Sequence, residues 1–232
     1  MKRLSIIVIM AVIAAATLFS CKDESGEFVE QLYTNAQKDK AIKECLKVST
    51  DSAINHLCAE PGFYGYNDGA YRIDFSPLQN NMFEVLTQYD GGALAIDSLI
   101  RLTNNMAENC ASQIRPVFIA AIDSLEIIDH DALVKGKEGA ITHYFELYKY
   151  NEIKSALKTP VAIRMDVYGV TDLWNSMWQF YSSHSNVPVN FDIQNYVVEK
   201  MLDGMLQEMR AEEELIRIDS THRNDAMDLL GW

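Results

Sequence analysis

No Cys-x-x-Cys pair, no His-Glu-x-x-His and no two histidines three or four residues apart occur in this 232-residue sequence. The first absence removes a redox dithiol and a zinc knuckle, and the others remove the usual helical zinc sites. Gly-x-Ser-x-Gly, a phosphate loop and a dinucleotide fingerprint are missing too. Cations are scarce, with 20 Lys and Arg against 33 Asp and Glu and a net charge of −13. That balance lacks the basic footprint of a nucleic-acid binder, and equally that of a face for anionic lipid headgroups. There is no internal repeat and no series of alternating strand-like segments, so the expected class is all-α.

What is present begins at the N-terminus. Lys2 and Arg3 precede an uncharged run from Leu4 to Phe19, and small Ser20 precedes Cys21. A basic start, an apolar middle and a small residue make a secretory signal. Leu18-Phe19-Ser20-Cys21 resembles a bacterial lipobox, which implies cleavage before Cys21 and lipid attachment to it. Two or three acyl chains hold a protein to a bilayer durably, whereas one chain binds only marginally. The expected organisation is a signal peptide over 1–20, the lipidated cysteine and a flexible tether over 21–33, and a helical domain over 34–232. Loss of Lys2 and Arg3 leaves 18 basic against 33 acidic residues, a mature charge of −15. Lys22 follows the cysteine where an Asp would favour inner-membrane retention, so the expected address is the outer membrane, facing periplasm or cell surface. Lys22-Asp23-Glu24 reads either as an acidic display tag or as an ordinary solvated linker.

Beyond Cys21 stand Cys45, Cys58 and Cys110. Cys45 and Cys58 fall on one expected helix, where thirteen residues span about 20 Å, against the roughly 7 Å that a disulfide tolerates between Cα atoms. The pattern therefore favours small core residues, and it leaves open whether Cys110 pairs.

Thr34 and Gln37 form a capping box at the start of a helix that Pro61-Gly62 ends. Residues 60–76 are irregular and rich in aromatics, and Tyr71–Phe75 alternates like one strand of a tiny hairpin. These aromatics read as a functional loop or as a lid on the core. A helix is expected over Leu78–Tyr89, then a long one over Ala93–Leu125 that Pro116 kinks or splits. Ala140–Tyr150, a segment from Glu152 to Tyr168 capped by Asn151, and a helix capped by Thr171 follow. Asp192 caps the most regular amphipathic helix, on which Ile193, Val197, Met201, Met205 and Met209 recur every fourth residue. That stripe is expected to be core. Glu212-Glu213-Glu214 beyond it reads as a solvated face.

Several stretches carry a family resemblance. They are Cys45-Leu46-Lys47-Val48-Ser49-Thr50 with Ala53 and Pro61-Gly62-Phe63, then Ile114-Arg115-Pro116-Val117-Phe118 and Gly139-Ala140-Ile141-Thr142-His143-Tyr144-Phe145. Tyr196-Val197-Val198-Glu199-Lys200-Met201-Leu202-Asp203-Gly204 follows, leading into the triple glutamate and Ile216-Arg217. Over roughly residues 40 to 230 the chain resembles the bacterial family catalogued as domain of unknown function 4197. The resemblance implies a helical domain on exported, often lipid-anchored proteins. It brings no activity, ligand or catalytic residue.

Candidate chemistry is thin. Glu126 and His130 share a helical spacing, but two ligands do not hold a zinc or di-iron ion. Asp129-His130-Asp131 has acid–base elements, which capping explains better. Thr142 is polar on an apolar helix, and Lys200 with Asp203 reads as an intrahelical ion pair. No catalytic residue, cofactor or metal site is expected, and the ligand-binding residues are unknown. The expected function is a non-enzymatic interaction or scaffold module with a protein partner in the envelope. The alternative is a binder of a small apolar ligand in a cavity near Phe145, Trp174 and Met205.

Overall fold

The computed structural model describes residues 33–231. The signal peptide, Cys21, Lys22-Asp23-Glu24 and all of the tether except Tyr33 lie outside the described residues. Regular structure within them is entirely helical. The helices are α1 (Asn35–Leu57), α2 (Gly62–Gly65), α3 (Glu84–Leu86), α4 (Gly92–Glu108), α5 (Ala111–Asp123), α6 (His130–Val134), α7 (Ala140–Val167), α8 (Val170–His184) and α9 (Ile193–Ile218). Among the described residues, no helix is long and apolar enough to cross a membrane.

Four long helices close a ring, in which α1 packs on α9, α9 on α7, α7 on α5 and α5 on α1. Side-chain bridges give the directions. Ser52 and His56 of α1 reach Glu212 and Glu208 of α9, so that pair is antiparallel. Glu146, Tyr150 and Lys154 of α7 meet Arg210, Asp203 and Glu199 of α9 in turn, again antiparallel. Asp51 and Lys47 of α1 pair with Arg115 and Asp123 of α5. Each helix thus runs against both of its neighbours, the arrangement of an antiparallel four-helix bundle. The methionine stripe is its seam, with Val197, Met201 and Met209 fully buried and Met205 1% exposed. Gly204 sits on the same helix where the loop crosses it, and a Cβ there would lie 3.1 Å from Phe63.

The start signals hold at α1, where Thr34 and Gln37 complete the capping box, and at α9, where Asp192 accepts from the Asn195 amide. Elsewhere tertiary contacts override local signals. No hairpin forms among the described residues. The buried Ile73 instead has both its N–H and its C=O bonded to the Asn104 side chain, each at 3.0 Å. One amide side chain replaces the strand partner that this backbone would otherwise need. The segment expected as helix over 78–89 is helical but irregular and ends early, a 3-10 turn at Ser76–Leu78 passing through a π-helical turn at Gln79–Phe83 into α3. Asn81 accepts from the adjacent Met82 amide, the local competition that weakens helices at asparagine.

The break expected at Pro116 falls instead at Asn109–Cys110. There the Asn109 side chain bonds back to the Asn105 carbonyl, and Arg164 donates to the Asn109 carbonyl at 2.7 Å. Pro116 and Pro160 both sit inside helices. Asn151 caps nothing, because α7 runs unbroken through it. The buried series Ile141, Phe145, Ile153, Leu157, Val161 and Met165 continues on one face, while Asn151 faces solvent. Gly169, with φ of 73°, ends α7 and opens α8, leaving Thr171 in the first turn.

Candidate functional site

Helix α9 carries three buried glutamates, Glu208, Glu212 and Glu213. Expected as solvent-facing, the last two point inward; only Glu214 of the triplet is exposed. Their positions follow from helical spacing: 201, 205, 208 and 212 continue one face, so Glu208 and Glu212 extend the methionine stripe. Each carboxylate meets a different non-helical segment or helix end.

Glu208 binds the aromatic loop. Its Oε1 lies 2.6 Å from His56 Nδ1 and accepts from the Tyr66 hydroxyl at 3.1 Å, while Oε2 accepts from the Tyr71 hydroxyl at 2.6 Å. The rings stack in order, His56 on Tyr66 at 4.9 Å and Tyr66 on Tyr71 at 5.9 Å between centroids. Burial raises the Tyr71 phenol, and its hydrogen bond to the Glu208 carboxylate raises it further. Glu212 accepts from Ser52 and contacts His222, each at 2.8 Å, tying the C-terminal segment down. Glu213 caps α7, accepting from the amides of Ile141 at 3.0 Å and Thr142 at 2.8 Å. It also pairs with the fully buried Arg217, whose guanidinium donates to the carbonyls of Leu133 and Val134 at the end of α6.

A carboxylate-oriented histidine beside two phenols has the elements of acid–base chemistry. Here, however, all three donors converge on Glu208, which makes the group a joint between α1, α9 and the loop. Phe63, Tyr71 and Phe75 are buried, so much of the loop does lid the core. Sequence reasoning missed this cluster. The available signal was an acid, Glu208, three residues past Met205 on an apolar face.

Other singled-out residues lie apart. Asp129 caps α6 through the Ala132 amide, and Asp131 pairs with Lys38. His130 approaches Asp39 at 3.8 Å, and Glu126 stands outside any helix, so those two share no helical face. Lys200 does not pair with Asp203: it lies over the Tyr196 ring, and Asp203 accepts from the Tyr150 hydroxyl. Thr142 is buried, with its hydroxyl unbonded. Phe145, Trp174 and Met205 are packed into the core. Among the described residues, no three His, Cys, Asp or Glu side chains converge on a metal-sized position.

Cys45, Cys58 and Cys110 are free thiols. Burial pushes all three up, Cys58 to about 12, and thiolate is the reactive form. Maleimide at neutral pH is therefore expected to label the folded protein slowly and the urea-unfolded protein at three positions by mass spectrometry. Fast native labelling at Cys45 would contradict this packing.

The exposed surface has an apolar ledge beside the start of α7. Ile128, Leu147 and Tyr148 are 76%, 68% and 51% exposed. Tyr144 packs against Tyr148 with the rings tilted by 40° and 4.5 Å between centroids, accepts from the Ile128 amide and donates to the Glu126 carbonyl. The ledge is thus held in place by hydrogen bonds at its back. A second apolar depression lies between α5 and α7, lined by Pro116, Val117, Ala120, Ile153 and Ala156.

A family model described as "Protein of unknown function (DUF4197)" matches residues 32–229. The chain belongs to that family. The matched region spans the whole bundle, so the buried glutamates of this DUF4197 domain fall inside it. No curated protein and no solved structure matches the chain.

Proposed function

We propose that this protein is a lipid-anchored envelope protein whose helical domain serves as a non-enzymatic interaction or scaffold module. The observation that carries the reading is the ledge of Ile128, Leu147 and Tyr148, large apolar side chains presented to solvent on a braced backbone. Apolar groups clustered in this way are typical of protein-binding surfaces. The polar cluster on α9 supports the same reading, since its carboxylates fasten the protein's own segments. Leu18-Phe19-Ser20-Cys21 supports the anchor, and Lys22 supports delivery to the outer membrane. A binder of a small apolar ligand is the second reading; the depression between α5 and α7 favours it.

Two variants test the two halves separately. Cys21→Ala is expected to move the protein out of the membrane fraction or to leave an unprocessed precursor. Unchanged fractionation and migration would remove Cys21 as the attachment point. Leu147→Glu with Tyr148→Glu is expected to keep the fold and the anchor and to abolish a specific crosslinked envelope partner. If the same partner is recovered with the double variant, the ledge is not the interface.

A further inference from the structure

Four glutamates are buried among the described residues, and one differs from the rest. Glu208, Glu212 and Glu213 each hold a histidine or an arginine together with further donors. Glu108 of α4 is 8% exposed and accepts one hydrogen bond, from the Tyr64 amide at 2.9 Å. Among the described residues, no Lys, Arg or His lies within ion-pair distance of it. A carboxylate removed from water without a counter-charge is costly. Burial raises the Glu108 carboxyl most, and the charge of Glu60 raises it further, while the Tyr64 amide acts against both.

Glu108 does not face protein on all sides. It lines a depression of the surface together with Glu60, Pro61, Tyr64, Arg101 and Asn105. Two carboxylates and an amide oxygen offer acceptors for the three N–H donors of an ammonium group. They are few for a calcium ion, which takes six to eight oxygens. Arg101 supplies the opposite charge. Its pairing with Asp97 at 2.8 Å is exposed and therefore weak, and a guanidinium has five donors, so some stay available to an anionic group. Arg101 and Arg72 both lie over the Tyr64 ring, at 5.4 and 4.5 Å from its centroid.

We propose that this depression binds a small zwitterion of amino-acid size, its ammonium on Glu108 and Glu60 and its acidic group toward Arg101. The bound ammonium is the counter-charge that Glu108 lacks among the described residues. The site shares the aromatic loop with the Glu208 joint through Tyr64, but none of its lining residues belongs to the ledge or to the α9 joints.

Titration calorimetry on the full-length protein in detergent tests the proposal, with a panel of free L-amino acids, methylamine, acetate and calcium as probes. At least one amino acid is expected to bind at pH 7.5, methylamine more weakly, and acetate and calcium not at all. Glu108→Gln should weaken the amino acid at least tenfold and Arg101→Gln by less. Lowering the pH should weaken binding, because protonated Glu108 no longer attracts an ammonium. Without ligand, Glu108→Gln should raise the thermal midpoint, since the amide oxygen still accepts from Tyr64 and no charge stays buried. The idea fails if no amino acid binds at millimolar concentration, if calcium binds in their place, or if Glu108→Gln binds as the parent does. A lowered midpoint for ligand-free Glu108→Gln would equally overturn it, by showing that the carboxylate is already matched inside the protein.

Discussion

Glu213→Ala is expected to cost about 3–5 kcal/mol of folding stability, the range seen when one partner of a buried ion pair is removed. Glu213 and Arg217 are both 0% exposed at the side chain. Without Glu213 the guanidinium keeps the carbonyls of Leu133 and Val134 but loses the Glu213 carboxylate, and the first amides of α7 lose their acceptor. Such a loss is a large share of an ordinary domain's roughly 5–15 kcal/mol. Urea unfolding followed by circular dichroism gives the number. Pairing Glu213→Leu with Arg217→Met should restore part of it, because neither charge of the pair is then left buried without the other, but the uncapped α7 should keep the double variant below the parent. A midpoint unmoved by Glu213→Ala would return the residue to the solvated face that its neighbours suggest.

Met205→Ala is the second large effect, at about 2–5 kcal/mol from lost transfer energy and the cavity left behind. Met205 is 1% exposed in the seam between α9 and its partners. Chemical denaturation is again the readout, and the slope should stay constant while the midpoint falls, as expected for a change in stability alone. Preserved stability would mean that the stripe is a binding face, contrary to its burial.

The part of this fold that sequence makes legible is the part with local causes. Thr34 and Asp192 act through side chains that cap amides of their own first turns, and the methionine stripe acts through a repeat that only a helix aligns. Asn109 and Asn151 show the limit. Both are asparagines at helical positions, yet the first marks a break because Arg164, 55 residues away, reaches its carbonyl. The second marks nothing, because the core face of α7 continues past it. Glu213 was misread for the same reason: the run of three acids looks solvated, and only the partner at 217 and the helix end at 141 show its middle member to be buried. The hairpin expected at Tyr71–Phe75 was defeated by one residue on α4, Asn104, which no local pattern marks. The Glu108 depression was invisible in sequence because its carboxylates come from segments 48 residues apart, at Glu60 and Glu108.

The pairing of α1 with α9 has a consequence in time. Ser52 meets Glu212 across 160 residues of chain, and His56 meets Glu208 across 152. Contacts between such distant segments require a large loop to close first, which slows folding relative to bundles whose neighbours are adjacent in sequence. Synthesis runs from the N-terminus, so α1 can meet α5 early, but the side of it that packs on α9 has no mate until the last long helix has been made. That side stays uncovered through the interval, when collapsed intermediates are prone to aggregate. The same delay keeps the chain threadable: it has no closed bundle to unravel until residues near 218 are out of the ribosome, and a chaperone has that long to hold it open.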